Sequence, residues 1–182
     1  DPIKSDIRNK MKPPNLRNWM GTDNLGRDVF SRVIYGSRIS LWVGILSVGM
    51  GVLSGTILGV LSGYFRGMVE TIVERIVDSV MAFPPLVLAL AMVAMLGSNI
   101  TNTMIAIAIV IAPRTARVVR GSVLTVRQEQ YVEAARTTGC AHLRIILIHI
   151  IPNVMAPIIV MATVMFGNAI IVEAALGFLG RL

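Results

Sequence analysis

The amino-acid sequence predicts an all-α membrane protein with about four transmembrane helices, and three observations carry that prediction. Residues 39–65, 79–113 and 145–172 contain no Asp, Glu, Lys or Arg. Only 15% of the chain is charged while 54% is hydrophobic, and the mean hydropathy is +0.72; in a soluble domain about a quarter of the residues carry charge. The apolar residues therefore come in lengths that suit a bilayer, not in the mixed periods of a water-soluble core.

Residues 1–38 hold eight Lys/Arg and four Asp. Pro13 and Pro14 mark an irregular stretch. In the run Gly21-Thr22-Asp23-Asn24-Leu25-Gly26-Arg27-Asp28, glycines flanking Asp and Asn predict a tight turn with a side-chain cap. From Asp28 onward Val29, Phe30, Val33 and Ile34 share one helical face, which predicts a short helix at a membrane surface leading into the bilayer. A capped turn alone and a docking or gating element both fit these residues.

Residues 39–65 make the first span: twenty-seven residues reach about 40 Å, enough for a hydrocarbon core of about 30 Å. Glycines recur along it, and Gly55 with Gly59 forms a GxxxG pair that lets helix backbones approach closely. In residues 63–78, Arg66, Glu70, Glu74, Arg75 and Asp78 alternate with Met68, Ile72, Val73, Ile76 and Val77. This reads as an amphipathic surface connection, for which a solvated face with i,i+4 pairing suffices. Residues 79–113 would reach about 52 Å as one helix, too far for a single crossing. The break falls at Gly97-Ser98-Asn99, giving spans at 80–96 and 101–117. Pro84-Pro85 near the start of the first is tolerable where neighbours cover the freed carbonyls. Residues 114–144 hold six arginines and two glutamates, so the positive-inside rule makes this loop cytoplasmic. Counting back, 64–78 is cytoplasmic and 1–38 lies outside, parity being given precedence over the basic excess of 1–38. A last span is predicted from near Pro152, in a first turn that tolerates proline, to about Val172, with Glu173 and Arg181 beyond it. Two domains result: an extracytoplasmic segment at 1–38 with its interfacial helix, and a transmembrane domain at 39–182 that includes the cytoplasmic loop 114–151.

The same residues exclude several functions. Cys140 is the single cysteine, which rules out an internal disulfide and a multi-cysteine metal site. The net charge of +7 comes with only 5% aromatics and no basic stripe interleaved with them, so it does not point to nucleic acid; loop arginines that set topology account for it. The chain opens at Asp1 with no signal peptide visible, and both ends read as cuts through a longer protein. The spans carry no buried carboxylate or cation of the kind that drives ion-coupled transport. His149 stands near a span end and reads as an interfacial hydrogen-bonding residue. Lys4, Lys10 and Lys12 are the only lysines and none follows a glycine, so no phosphate-binding loop is present. His142 and His149 lack carboxylates at ligand spacing. The chain is thus a membrane body without an engine, and either a partner supplies energy or it is a passive pore.

Residues 129–152 offer the place for such a partner. Glu133, Ala134, Ala135 and Arg136 favour a helix over 129–138, and Gly139 can take the positive φ that ends it. A second helix over 142–151 has an apolar face of Leu143, Ile146, Leu147 and Ile150. Two short helices at an angle, with small residues at 134 and 135, make a flat-faced knob. An ordinary helical hairpin loop has the same pattern.

Glu133-Ala134-Ala135, Gly139 and, thirteen residues on, Pro152 stand at the spacing of the EAA loop of ABC importer permeases, the membrane subunits of binding-protein-dependent transporters. His149-Ile150-Ile151-Pro152 departs at two positions from that loop's usual Ile-x-Leu-Pro ending, and His149 before Pro152-Asn153 is similar to the dipeptide, oligopeptide and nickel branch. The segment from Gly21, Thr22 and Asp23 through Gly26, Arg27 and Asp28 to Arg32 resembles that branch's extracytoplasmic segment. Gly63-Tyr64-Phe65, Asp78, Ala82-Phe83-Pro84 and the run from Glu173 to Gly180 resemble it too. The match covers nearly the whole chain and is most similar to the second permease of dipeptide/oligopeptide importers.

This resemblance implies a six-helix permease core, one span lying before Gly21 and one after Gly180. It implies a multi-pass subunit in the plasma (inner) membrane of a bacterium or archaeon, surrounded by lipid. The implied partners are a second permease in a heterodimer, two cytosolic ATPase subunits and an external substrate-binding protein, with no nucleic acid. ATP and Mg would sit on the ATPases, with no cofactor, metal or catalytic residue on this chain, which would be a transport subunit and not an enzyme. Glu133, Ala134, Ala135, Gly139, His149 and Pro152 would form the ATPase-coupling loop. The cargo would be di- or oligopeptides; nickel or another small solute of the same branch, and a passive channel or scaffold, are the alternatives.

Overall fold

The computed structural model describes residues 5–180, and among them the secondary structure is helical apart from one isolated antiparallel bridge, Thr22 with Asp28. A 3-10 turn at Ile7–Asn9 precedes seven α-helices: α1 Val29–Tyr64, α2 Met68–Met81, α3 Pro85–Leu96, α4 Ile100–Val126, α5 Gln130–Thr137, α6 His142–Ile145 and α7 Ile151–Gly180. A π-helical turn, Ile146–Ile150, joins α6 to α7. The chain divides into two compact units, Asp1–Trp42 and Val43–Leu182.

In the first unit Asp28 caps the start of α1, accepting from the Ser31 backbone N–H at 2.9 Å and the Ser31 hydroxyl at 2.6 Å. Asn18 Nδ2 donates to the other Asp28 oxygen at 3.0 Å, and Trp19 packs on Phe30 with ring centroids 5.2 Å apart. The expected surface helix does not end before the first span. With no proline between 28 and 64, nothing breaks the hydrogen-bond ladder, and α1 runs through all 36 residues.

The second unit is organised by glycines. Gly51, Gly55, Gly59 and Gly63 recur every fourth residue and so line one face of α1. That face lies on α4 so closely that a Cβ at Gly55 would stand 2.5 Å from the Ala112 carbonyl oxygen, and one at Gly59 2.6 Å from that of Ala116. At Gly51 and Gly63 the nearest carbonyls are those of Ala108 and Arg120. Both numberings rise together, so this stretch of α1 and α4 run in the same direction. Val43, Val52, Ile107, Ile111, Val119 and Val123 are buried in the core built around this contact.

Among the described residues three helices are long and apolar enough to cross a membrane, or four if α2 and α3 together form one broken span. The span expected at 80–96 is only the twelve residues of α3, about 18 Å long, and it is bent by 89° from α2. Pro84 is the cause: it holds φ −57° and ψ 133°, and the residue before a proline is steered out of the helical region. Pro85 then opens α3, where its missing N–H costs nothing. The next helix does not stop near 117 but continues to Val126, so the expected loop at 114–144 begins inside α4. Its arginines stay helical because α2 supplies acids: Arg120 pairs with Glu70 and Glu74, and Arg117 with Asp78. The charged face of α2 is therefore engaged with α4, beyond the expected local pairing, which is confined to Arg66 and Glu70 at 3.7 Å.

The last long helix starts earlier than expected. The chain is helical from His142 through the π turn into α7, and Pro152 lies one residue inside α7, not at the start of a span. A proline ring clashes with the carbonyl four residues back; the wider π turn that precedes Pro152 relieves this without breaking the helix. Glu173 is part of α7, and Arg181 lies outside the described residues.

Candidate functional site

The 129–152 stretch is a short helix, a glycine turn and the root of a long helix. Gly139 has φ 78°, and the chain closes α5 around it with two backbone bonds: Gly139 N–H to Arg136 O and Cys140 N–H to Ala135 O, both 3.0 Å. This is the Schellman arrangement, which needs a residue with positive φ just past the helix. The Thr138 hydroxyl adds a bond to the Ala134 carbonyl at 3.0 Å.

α5 has two faces. Val132 is fully buried and Ala135 is 9% exposed, both joined to the core cluster that holds Val119 and Val123. Gln130, Glu133, Ala134 and Thr137 face outward. Of the expected residues, the structure therefore gathers Glu133, Ala134, Ala135 and Gly139 on one small helix and its cap. His149 lies in the π turn with its ring 6.1 Å from that of Tyr131 on α5, and its carbonyl accepts from Asn153 Nδ2 at 2.8 Å. Pro152 is exposed, further along α7. The expected apolar face of the second helix holds at Ile146 and Ile150, which are buried, and is corrected at Leu143 and Leu147, which are 67% and 54% exposed; Ile145 completes the buried face.

The loop is tied to the end of α1 by contacts that no local pattern foretold. Tyr64, 4% exposed, meets His142 Nδ1 through its hydroxyl at 2.9 Å. The Arg136 guanidinium stands 5.1 Å over the Tyr64 ring, and Phe65 packs edge-on to both Tyr64 and His142. A contact between residues 78 positions apart leaves no periodic trace; the only hint is an aromatic pair followed by arginine at a span end. Beside this cluster a cavity of about 510 Å³ is walled by Arg66, Arg127, Gln128, Glu133, Arg136 and Thr137.

In the first unit the 21–28 turn is built on Asp23. One of its oxygens accepts the backbone N–H groups of Leu25 and Arg27 at 2.9 Å, and the other accepts Arg27 Nε at 2.9 Å and pairs with Arg32. Gly21 and Gly26 both have φ 72°, and a Cβ at Gly26 would collide with the backbone of Asp6. Burial raises the Asp23 pKa, but these hydrogen bonds and the Arg27 charge outweigh it and bring the carboxyl down to about 2. Asp28 is also held below its ordinary range, by hydrogen bonds from Ser31 and Asn18. All six residues expected in this segment thus fall within one structured turn.

Close-packed apolar helices around a glycine seam, with a polar loop rooted in their core, define an all-α membrane protein. The chain belongs to the family described as the binding-protein-dependent transport system inner membrane component, whose model matches residues 55–181. It is 46% identical over 172 residues to the dipeptide transport system permease protein DppC of Alkalihalophilus pseudofirmus, covering 94% of this chain and 57% of that protein. It is 45% identical over 175 residues to the glutathione transport system permease protein GsiD of Escherichia coli O1:K1, covering 96% and 58%. A putative peptide transport system permease protein of Brucella suis is 41% identical over 179 residues, covering 98% and 60%. The chain thus spans about three-fifths of the length of these relatives. Among solved structures, the crystal structure of an amino acid ABC transporter with histidines matches with a TM-score of 0.56 at 22% identity, covering 81% of this chain and 76% of that one. That likeness is one of fold.

Proposed function

We propose that this chain is the membrane-spanning part of a permease subunit in an ATP-driven importer of di- or oligopeptides, and that residues 129–152 are its coupling loop. Glu133, Ala134, Ala135 and Gly139 seat against a cytosolic ATPase subunit, which binds ATP and Mg; His149 and Pro152 carry the motion into α7. A second permease pairs with this subunit, and an external binding protein delivers the cargo. The setting is the inner membrane of a bacterium. Residues 1–38 are extracytoplasmic and 39–182 form the transmembrane domain. The relatives named for dipeptide, peptide and glutathione transport favour a peptide-type cargo over nickel.

The observation that carries this reading is the two-faced α5. Its inner face is locked into the core of the spans while Glu133 and Ala134 face outward, so a force on the outer face reaches α4 and α7 through packed side chains. The shared direction of α1 and α4 supports the topology, since both then cross from outside to inside. The last span, His142–Phe178, has only 22% of its apolar window covered within the chain, which leaves a face for lipid and for a second permease.

Gly139→Asp puts a side chain at φ 78° and a negative charge in the turn, and Glu133→Lys reverses the charge of the outer face. Either change is expected to abolish uptake of a labelled dipeptide while the affinity of the external binding protein for its ligand stays unchanged. Normal uptake by both variants overturns the coupling role, and uptake of labelled nickel in place of dipeptide overturns the cargo assignment.

A further inference from the structure

The cavity beside α5 has a charge pattern that coupling does not use. Arg66 follows α1, Arg127 closes α4 and Arg136 belongs to α5, so three separate segments each contribute an arginine to the wall of one cavity. Among the described residues Glu133 is the only carboxylate in the wall, and it forms an ion pair with none of the three arginines. Arg66 reaches Glu70 only at 3.7 Å, while Arg127 and Arg136 enter no ion pair among the described residues. Arg136 Nε is shielded from solvent and has no acceptor there. Burial, followed by the charges of Arg136 and Arg66, pulls the Arg127 pKa down, against a smaller opposing effect of Glu70. A cation at a helix C-terminus is ordinary, but three sharing one cavity, two of them unpaired, ask for a further partner.

Guanidinium forks converging from three directions suit an oxyanion with several acceptor oxygens. A carboxylate satisfies one fork; a phosphate group offers oxygens to all three. The cavity opens beside Tyr64 and Leu124, in the last turns of two long apolar helices, which is the level at which basic side chains meet lipid headgroups.

We propose that Arg66, Arg127 and Arg136 form a binding site for a phosphate group, supplied by an anionic membrane lipid or by a soluble phosphate compound. The site shares the α5 wall, Glu133 included, with the coupling reading, but binding of a phosphate group needs no ATPase, so the two can fail separately.

The test is native mass spectrometry of the full-length protein in neutral detergent, titrated separately with phosphatidylglycerol, phosphatidylcholine and inorganic phosphate. Phosphatidylglycerol is expected to bind in preference to phosphatidylcholine. Arg127→Gln and Arg136→Gln should each weaken it about fivefold, and the double variant roughly thirtyfold. Arg75→Gln, an exposed α2 arginine outside the cavity, should leave binding unchanged. Arg127→Lys with Arg136→Lys keeps the charge but loses the forks, and is expected to fall between. Should the Gln variants fail to fold, Arg66→Gln, with a side chain 66% exposed, gives the same reading. Displacement of the lipid by inorganic phosphate assigns the site to a soluble compound; retention of the lipid alone assigns it to the membrane. Equal phosphatidylglycerol binding by the double variant and Arg75→Gln overturns the proposal. So does a double variant that loses an acidic protein partner but still holds the lipid.

Discussion

Asp23 shows how much one side chain organises. It takes two backbone N–H groups and two guanidiniums; the hydrogen bonds of Arg27 and Leu25 with the Arg27 charge outweigh burial and bring its carboxyl down to about 2, below the ordinary 3.8. A depressed folded-state pKa gives stability that is complete above the unfolded value and is lost as pH falls through the folded one. The 21–28 turn should therefore hold unchanged down to about pH 4 and loosen as pH falls toward 2, read by amide exchange at Leu25 and Arg27. Measured as protection relative to the intrinsic exchange rate at each pH, Asp23→Asn should lower the protection of both amides at neutral pH and remove its further loss between pH 4 and 2; unchanged protection contradicts the assigned role. The need for Asp, Gly and a cap in this turn was readable from 21–28, because turn chemistry is local. The Gly139 cap was readable for the same reason. The Tyr64–His142 contact was not, since nothing near either residue announces a partner so far along the chain.

At the scale of elements, the glycine face of α1 sets the packing. Gly55 and Gly59 were identifiable as a close-approach pair, but not α4 as the helix they admit. Gly59→Val adds branches where the first carbon already meets Ala116 O at 2.6 Å and Val119 Cβ at 2.8 Å. Overpacking of this kind costs about 1–3 kcal/mol, so thermal unfolding in detergent should shift clearly downward. Gly49→Ala, on a side with nothing within 4 Å, should be neutral or slightly stabilising. Equal behaviour of the two variants would place the seam elsewhere. Helix limits were harder to foresee, for physical reasons. Charges ended the expected spans, yet α4 keeps its arginines helical by pairing them with α2, and a π turn carries the last helix past Pro152. Proline and charge mark where a helix is stressed, and tertiary partners decide whether it stops.

For the whole molecule, uncharged blocks of bilayer length fixed the class, and the absence of any buried charge within them pointed to energy supplied from outside the chain. The arginine cavity escaped notice because its members come from 66, 127 and 136, each unremarkable as a basic residue at a span end. The central claim is that α5 faces the cytosol and is covered by an ATPase. It is tested most directly by Ala134→Cys in a Cys140→Ser background, using a membrane-impermeant maleimide on right-side-out and inverted vesicles of the full-length protein. Ala134 is exposed on α5, so the thiol should label in inverted vesicles only, and addition of the ATPase subunits should protect it. Labelling from the extracellular side, or unchanged labelling with the ATPase bound, would contradict the claim.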